Sequence, residues 1–162
     1  MYLLDANTYI QAKNVYYQMS FCPAYWAWLD QQFEASTVAS IQLVYDELVD
    51  GDDELSEWVK ERKAHFMPVS SDAIQDKFVE VAQYAAELDG KKPENVAEFL
   101  AKADPWLVAT AAVSGATVVT HESLVPESST KVKIPNICKE FGVPYISTFQ
   151  LLKVLEARFV LA

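Results

Sequence analysis

Two cysteines, two histidines and four glycines among 162 residues leave several chemistries without their raw material. Cys22 and Cys138 are too few for a disulfide framework and too far apart for a zinc-ligand pattern. Both read as small buried apolar residues. There is no Gly-rich loop to cradle phosphates, and little imidazole for acid–base work. No apolar run approaches the ~20 residues a membrane span needs. The opening Met1-Tyr2-Leu3-Leu4-Asp5 has neither the basic start nor the long apolar stretch of a secretory signal. The expectation is a reduced, cytoplasmic protein. Basic residues are also scarce: 13 Lys and Arg against 23 Asp and Glu give a net charge of −10. A passive nucleic-acid binder carries a basic stripe instead. The balance leaves room for an enzyme that grips phosphates through metal ions, or for a protein held by a basic partner.

What is present is ordinary globular material, 51% hydrophobic and 22% charged, with no internal repeat and no linker. Residues 1–162 read as a single domain. Tyr2-Leu3-Leu4 is a short apolar run ending on Asp5, the pattern of a strand buried on both faces. Asn7-Thr8 offers a cap for a helical turn. Pro23 opens a helix to about Ala35. Ser40 is expected to cap a helix over Ile41 to Val49, and further helices are expected over Glu54–Ala64, Ser71–Leu88 and Asn95–Ala101. Asp104-Pro105 starts another helix, with Asp104 as its cap, and Gly115 ends it. Ala116 to Thr120 reads as a second buried strand followed by Glu122. Residues 123–133 form a polar loop before a helix from Ile134 to Phe141. Val143 to Ile146 is a last short strand, and Ser147-Thr148 caps a final helix to about Phe159. Short apolar strands alternating with helices predict a parallel sheet covered on both faces. In such sheets, sites form at the carboxyl ends of the strands.

Four acidic residues stand apart from the surface charge. Asp5 follows the first strand, Glu47 lies in an apolar helix, Asp104 begins a helix, and Glu122 follows a later strand. Asp46 is the neighbour that competes with Glu47, about 100° away on the helix. If the strands of Asp5 and Glu122 are neighbours, these carboxylates converge at one sheet edge. Buried carboxylates that meet either take up protons or bind a cation. Oxygen ligands select hard ions, Mg²⁺ or Mn²⁺. Such an ion can stabilise charge on a phosphodiester and activate a water for attack.

Four pieces in this order resemble those of PIN-domain nucleases of the VapC-like toxin kind. They are Leu3-Leu4-Asp5-Ala6-Asn7, Val44-Tyr45-Asp46-Glu47-Leu48, Ala103-Asp104-Pro105-Trp106-Leu107-Val108-Ala109-Thr110-Ala111 and Ala116-Thr117-Val118-Val119-Thr120-His121-Glu122. The resemblance implies a three-layer α/β/α sandwich with a mostly parallel sheet, and a Mg²⁺- or Mn²⁺-dependent endoribonuclease. It implies that Asp5, Glu47, Asp104 and Glu122 are the metal-holding acids, with Asn7 and Thr120 supporting them. It also implies an RNA substrate, a homodimer, and a cognate antitoxin protein. Lys131 to Cys138 resembles a subgroup found beside a helix-turn-helix antitoxin. Glu122 departs from the pattern, where Asp is more usual.

Lys131 and Lys133 are candidates for RNA contact, with a solvated loop as the alternative. Tyr16, Tyr17, Phe21, Tyr25, Trp26 and Trp28 form a dense aromatic group; core or dimer packing is expected, with base stacking as the alternative. His121 reads as a loop histidine, His65 as a helix-end residue. A phosphatase that forms an aspartyl-phosphate needs an acid two residues after the first Asp, and Asn7 stands there. The remaining rival is a PIN-like domain without activity that works by binding a partner.

Overall fold

A computed structural model describes residues 1–161; Ala162 lies outside the described residues. Among the described residues, five strands form one sheet: β1 (Tyr2–Leu4), β2 (Val38–Ile41), β3 (Phe66–Met67), β4 (Thr117–Val119) and β5 (Tyr145–Ile146). Their order is β3-β2-β1-β4-β5, and every pairing is parallel. The helices between them cover the sheet as an α/β/α sandwich. They are α1 (Ala6–Gln11), α2 (Pro23–Glu34), α3 (Gln42–Val49), α4 (Glu54–Lys60), α5 (Asp72–Ala86), α6 (Pro93–Ala101), α7 (Asp104–Ser114), α8 (Ile134–Glu140) and α9 (Thr148–Val154). A π-helical turn, Ala12–Tyr16, continues α1. Among the described residues, no helix is long and apolar enough to cross a membrane.

The apolar strand residues explain the sheet's place. Leu3, Leu4, Val118 and Val119 are buried, as a two-sided strand requires. Helix α7 is apolar nearly all round, with Leu107, Val108, Ala109 and Ala111 buried. Such a helix belongs inside; it packs against β2, β4 and α5. Gly115 ends it in the left-handed conformation, φ 71°, where a Cβ is disfavoured.

Several expected boundaries move. Ser40 and Ile41, expected as the cap and start of a helix, instead close strand β2, which begins at Val38 and lies beside β1. Ser40 tolerates full burial because its hydroxyl donates to the Leu4 carbonyl at 2.6 Å. The cap of α1 is Asp5, whose side chain accepts from the Thr8 amide. The cap of α7 is Ala103, and Asp104 is the first helical residue. The helix expected to reach Ala64 ends at Lys60, and α9 stops at Val154 rather than near Phe159.

β1 sits between β2, the next strand in the chain, and β4, which returns from the far side. The strand order reverses at the β1–β4 pair. A crevice opens outside the carboxyl ends of strands at such a reversal.

Candidate functional site: a carboxylate crevice between two flanks

The register of β1 on β4 pairs Leu4 with Val119, so the next residue of each strand, Asp5 and Thr120, leave the sheet side by side. The Asp5 amide still donates to the Val119 carbonyl, at 3.1 Å. Thr120 Oγ1 then donates to Asp5 Oδ2 at 2.6 Å, while Asp5 Oδ1 accepts the Thr8 amide at 2.8 Å. Both oxygens of a carboxylate that is 3% exposed are thus fixed. Thr120 Oγ1 also accepts the Glu122 amide, at 3.1 Å, which sets the turn that brings Glu122 round.

The other acids arrive from helices. Glu47, on α3, accepts the Ala103 amide at Oε1, 2.8 Å away, and so ties α3 to the start of α7. That bond satisfies an amide at a helix N-terminus and leaves the Asp104 side chain free of capping duty. Asp46 and Glu47 are both exposed on α3, and of the two only Glu47 lines the crevice. Glu122 Oε2 accepts the Ile134 amide at the start of α8, at 3.1 Å, and Oε1 lies 3.7 Å from Lys133 Nζ. The longer arm of Glu122 therefore spans to α8.

Asp5, Glu47, Asp104 and Glu122 line one cavity of about 450 Å³ together with Asn7, Ile10 and Lys102. Of the two expected supporting residues, Thr120 bonds Asp5 directly, and Asn7 stands on the cavity wall. The electrostatics reflect the crowding. Burial, with repulsion from Glu122 and Glu47, pushes the Asp5 carboxyl up to about 7. Burial, with repulsion from Glu122, Asp5 and Glu47, pushes Asp104 up to about 7 as well, against the pull of Lys102.

Two further cavities adjoin this one. A cavity of about 210 Å³ is lined by Lys102, Lys131 and Lys133 and shares Asp104 and Glu122 with the crevice. Another, of about 510 Å³, holds Tyr16, His121 and Phe149 and shares Asn7 and Glu122. Glu122 borders all three. The crevice thus has a lysine flank and an aromatic flank. Lys131 and Lys133 stand beside the acids, as the sequence suggests. Lys102 escapes a reading of the sequence, although it lies two residues before Asp104; its ion pair with Glu98, at 2.8 Å, is the kind of helix contact that reads as surface charge. The aromatic group divides: Tyr25, Trp26 and Trp28 are core, whereas Tyr16 and Phe21 are exposed. His121 is half-buried, and that burial lowers its pKa; Nε2 is 3.3 Å from Thr148 Oγ1. His65 stacks on Phe33 at 4.5 Å. Cys138 is buried, its thiol pushed up to about 12 by that burial, and Cys22 is half-buried.

Among the described residues, no three His, Cys, Asp or Glu side chains close into a ready-made ion cage. The donor set still suits a hard cation. It is all oxygen, its charges repel one another, and two of its members resist ionising without a counter-charge. Mg²⁺ in particular is held by one or two carboxylates and keeps several waters, so it asks for an open site rather than a closed cage.

Three solved structures share the fold. FitAcB from Neisseria gonorrhoeae aligns with a TM-score of 0.53 at 20% identity, over 90% of this chain and 96% of that one. VapBC2 from Rickettsia felis, bound to a DNA fragment from their promoter, aligns with a TM-score of 0.52 at 17% identity, over 90% and 97%. FitAB bound to the IR36 DNA fragment aligns with a TM-score of 0.53 at 17% identity, over 91% and 94%. The fold is therefore the PIN-like one that the sequence resemblance implied. No curated protein matches the chain. The family model that does match covers residues 2–159, and the chain belongs to the family described as Domain of unknown function (DUF4411).

Proposed function

We propose that this chain is a divalent-cation-dependent ribonuclease that hydrolyses RNA phosphodiester bonds, and that it is the toxin of a type II toxin–antitoxin pair in the cytoplasm. The observation that carries the reading is the convergence of Asp5, Glu47, Asp104 and Glu122 on one crevice at the β1–β4 reversal. Asp5, Asp104, Glu47 and Glu122 are the residues that hold Mg²⁺ or Mn²⁺, directly or through water. Bound there, the ion supplies charge for the phosphodiester oxygens and acidity for an attacking water. The chain's own part is positional. Thr120 and the Thr8 amide fix both oxygens of Asp5 on the crevice wall, so the carboxylate needs no rotameric search. Glu47 is held by the Ala103 amide and Glu122 by the Ile134 amide. No residue serves as a covalent nucleophile.

The lysine flank answers the problem of charge. A chain of net charge −10 repels RNA at long range. Lys102, Lys131 and Lys133 offset this next to the acids and are the candidates for phosphate contact. Replacing Lys131 and Lys133 by Ala is expected to weaken RNA binding across sequences. The slope of log affinity against log salt should become shallower, by about 0.7 for each single-strand phosphate that a lysine no longer neutralises. An unchanged slope in fluorescence anisotropy titrations would remove both lysines from the RNA path.

The similar folds solved as the VapBC2 and FitAcB complexes support a protein partner, the antitoxin. The excess of acid supports a partner that brings a basic side chain into the crevice. A homodimer is part of the same proposal. The test is induced expression of wild type and of Asp5→Ala at matched protein levels. Growth arrest by wild type alone supports the nuclease. Equal arrest by both assigns the harm to binding, and the domain then works as a partner-binding module.

A further inference from the structure

The aromatic flank has a feature that packing does not require. Tyr16 and Tyr17 are adjacent in sequence, yet they part at the end of the π-helical turn. Tyr17 goes inward and stacks on Tyr25 at 4.4 Å. Tyr16 goes outward, stacks on His121 at 5.5 Å, and meets the edge of Phe149 at 5.0 Å. Tyr16 and Phe149 remain 44% and 43% exposed. A π-turn inserts an extra residue into the helix and so re-aims the side chains beyond it; such turns recur at functional sites. Here it delivers a ring to the wall of a cavity of about 510 Å³ that shares Asn7 and Glu122 with the crevice.

We propose that this flank, built on Tyr16, His121 and Phe149, holds one unstacked nucleobase of the RNA next to the phosphate that is cut. The inference rests on the ribonuclease reading and adds to it where the strand leaves the crevice. Two observations favour a base over an apolar side chain of a protein partner. The rings offer partly exposed aromatic surface, and the same cavity is lined by Asn7, Gln11 and Gln150, amides suited to the polar edge of a base. The cavity also shares Asn7 and Glu122 with the carboxylate crevice, while the lysine flank shares Asp104 and Glu122 with it. A strand can therefore run with phosphates on the lysines and a base among the rings, its backbone crossing the acids between them. Stacking of this kind tolerates any base, because every base has a π face.

The experiment is fluorescence anisotropy in Mg²⁺ with two labelled probes of equal charge: hexaadenylate RNA and an abasic ribose-phosphate hexamer. All chains carry Asp104→Asn so that the RNA stays intact. With the native flank, hexaadenylate is expected to bind roughly tenfold or more tightly than the abasic hexamer. Tyr16→Ala and Phe149→Ala should each shrink that gap and leave abasic binding unchanged, while Tyr16→Trp should keep it. A gap that persists in both Ala variants overturns this inference and leaves the ribonuclease reading standing, with bases held elsewhere. Equal binding of the two probes by the chain with the native flank also overturns the inference. A Tyr16→Ala chain that binds both probes like its parent, yet no longer co-purifies with a co-expressed antitoxin, gives the flank to the protein partner and overturns the inference.

Discussion

Asp5→Asn is expected to abolish RNA cleavage and growth arrest while raising the melting temperature of the ion-free protein. The two effects have one cause. Asp5 is buried, and its carboxyl is pushed up to about 7, so near neutral pH the fold carries the cost of a charge it does not solvate. Asn keeps the shape and removes that charge. It also keeps the hydrogen bonds, because its amide oxygen can still accept the Thr8 amide and the Thr120 hydroxyl can turn from donor to acceptor. What Asn cannot supply is a negative oxygen for a hard cation. Loss of a group that merely orients a ligand costs roughly 10–100-fold, and Thr120→Val should fall in that range. Loss of Asp5 itself should cost more. Thermal denaturation and a cleavage assay on the same preparation separate this from misfolding. An Asp5→Asn chain that is inactive and less stable would make Asp5 a structural residue.

The second large effect is on stability as a function of pH and of divalent ions. Asp5 and Asp104 each have an ordinary pKa of 3.8, and each is raised to about 7 in the fold. Between those values the folded chain binds protons that the unfolded chain has released. Stability therefore falls as pH rises across that window, and the cost is complete above about 7. The ion-free protein should melt at a higher temperature at pH 5.5 than at pH 8. Mn²⁺ or Mg²⁺ should reverse this, because a cation favours the ionised carboxylates and displaces their protons. At about a hundred times its dissociation constant, a ligand adds about 2.7 kcal/mol, or roughly 5–10 °C for a domain of this length. The gain should be larger at pH 8 than at pH 5.5, and smaller in Asp5→Asn. A melting temperature that rises from pH 5.5 to 8 without ions would contradict the proposed strain at the crevice.

Much of this site is legible in the amino-acid sequence. A two-sided apolar strand that ends on an acid names its own position at the sheet's edge, so Asp5 and the Thr120–Glu122 turn can be read from β1 and β4. Pro105 marks the start of α7, and with it Asp104. Other features depend on contacts between distant segments. β2 is hidden because Val38-Ala39-Ser40-Ile41 is short and carries a serine that reads as a cap; only the Leu4 carbonyl makes that serine acceptable in a strand. Ala103 takes the cap of α7 because Glu47, from another helix, satisfies its amide. Lys102 reads as half of an ion pair with Glu98, and nothing local says that it also faces Asp104. The aromatic flank joins the end of a π-turn, the loop after β4 and the start of α9. No periodicity within one segment reveals that meeting.

The central claim is that these four carboxylates cut RNA with the help of a divalent ion. Its most direct test is incubation of purified wild-type protein with total cellular RNA. The arms contain a chelator, then Mn²⁺ or Mg²⁺ restored in excess, with Asp5→Asn alongside, and the new RNA ends are sequenced. The account predicts new ends only with wild type and only with the ion present. Equal cleavage in chelator, or by Asp5→Asn, would contradict it.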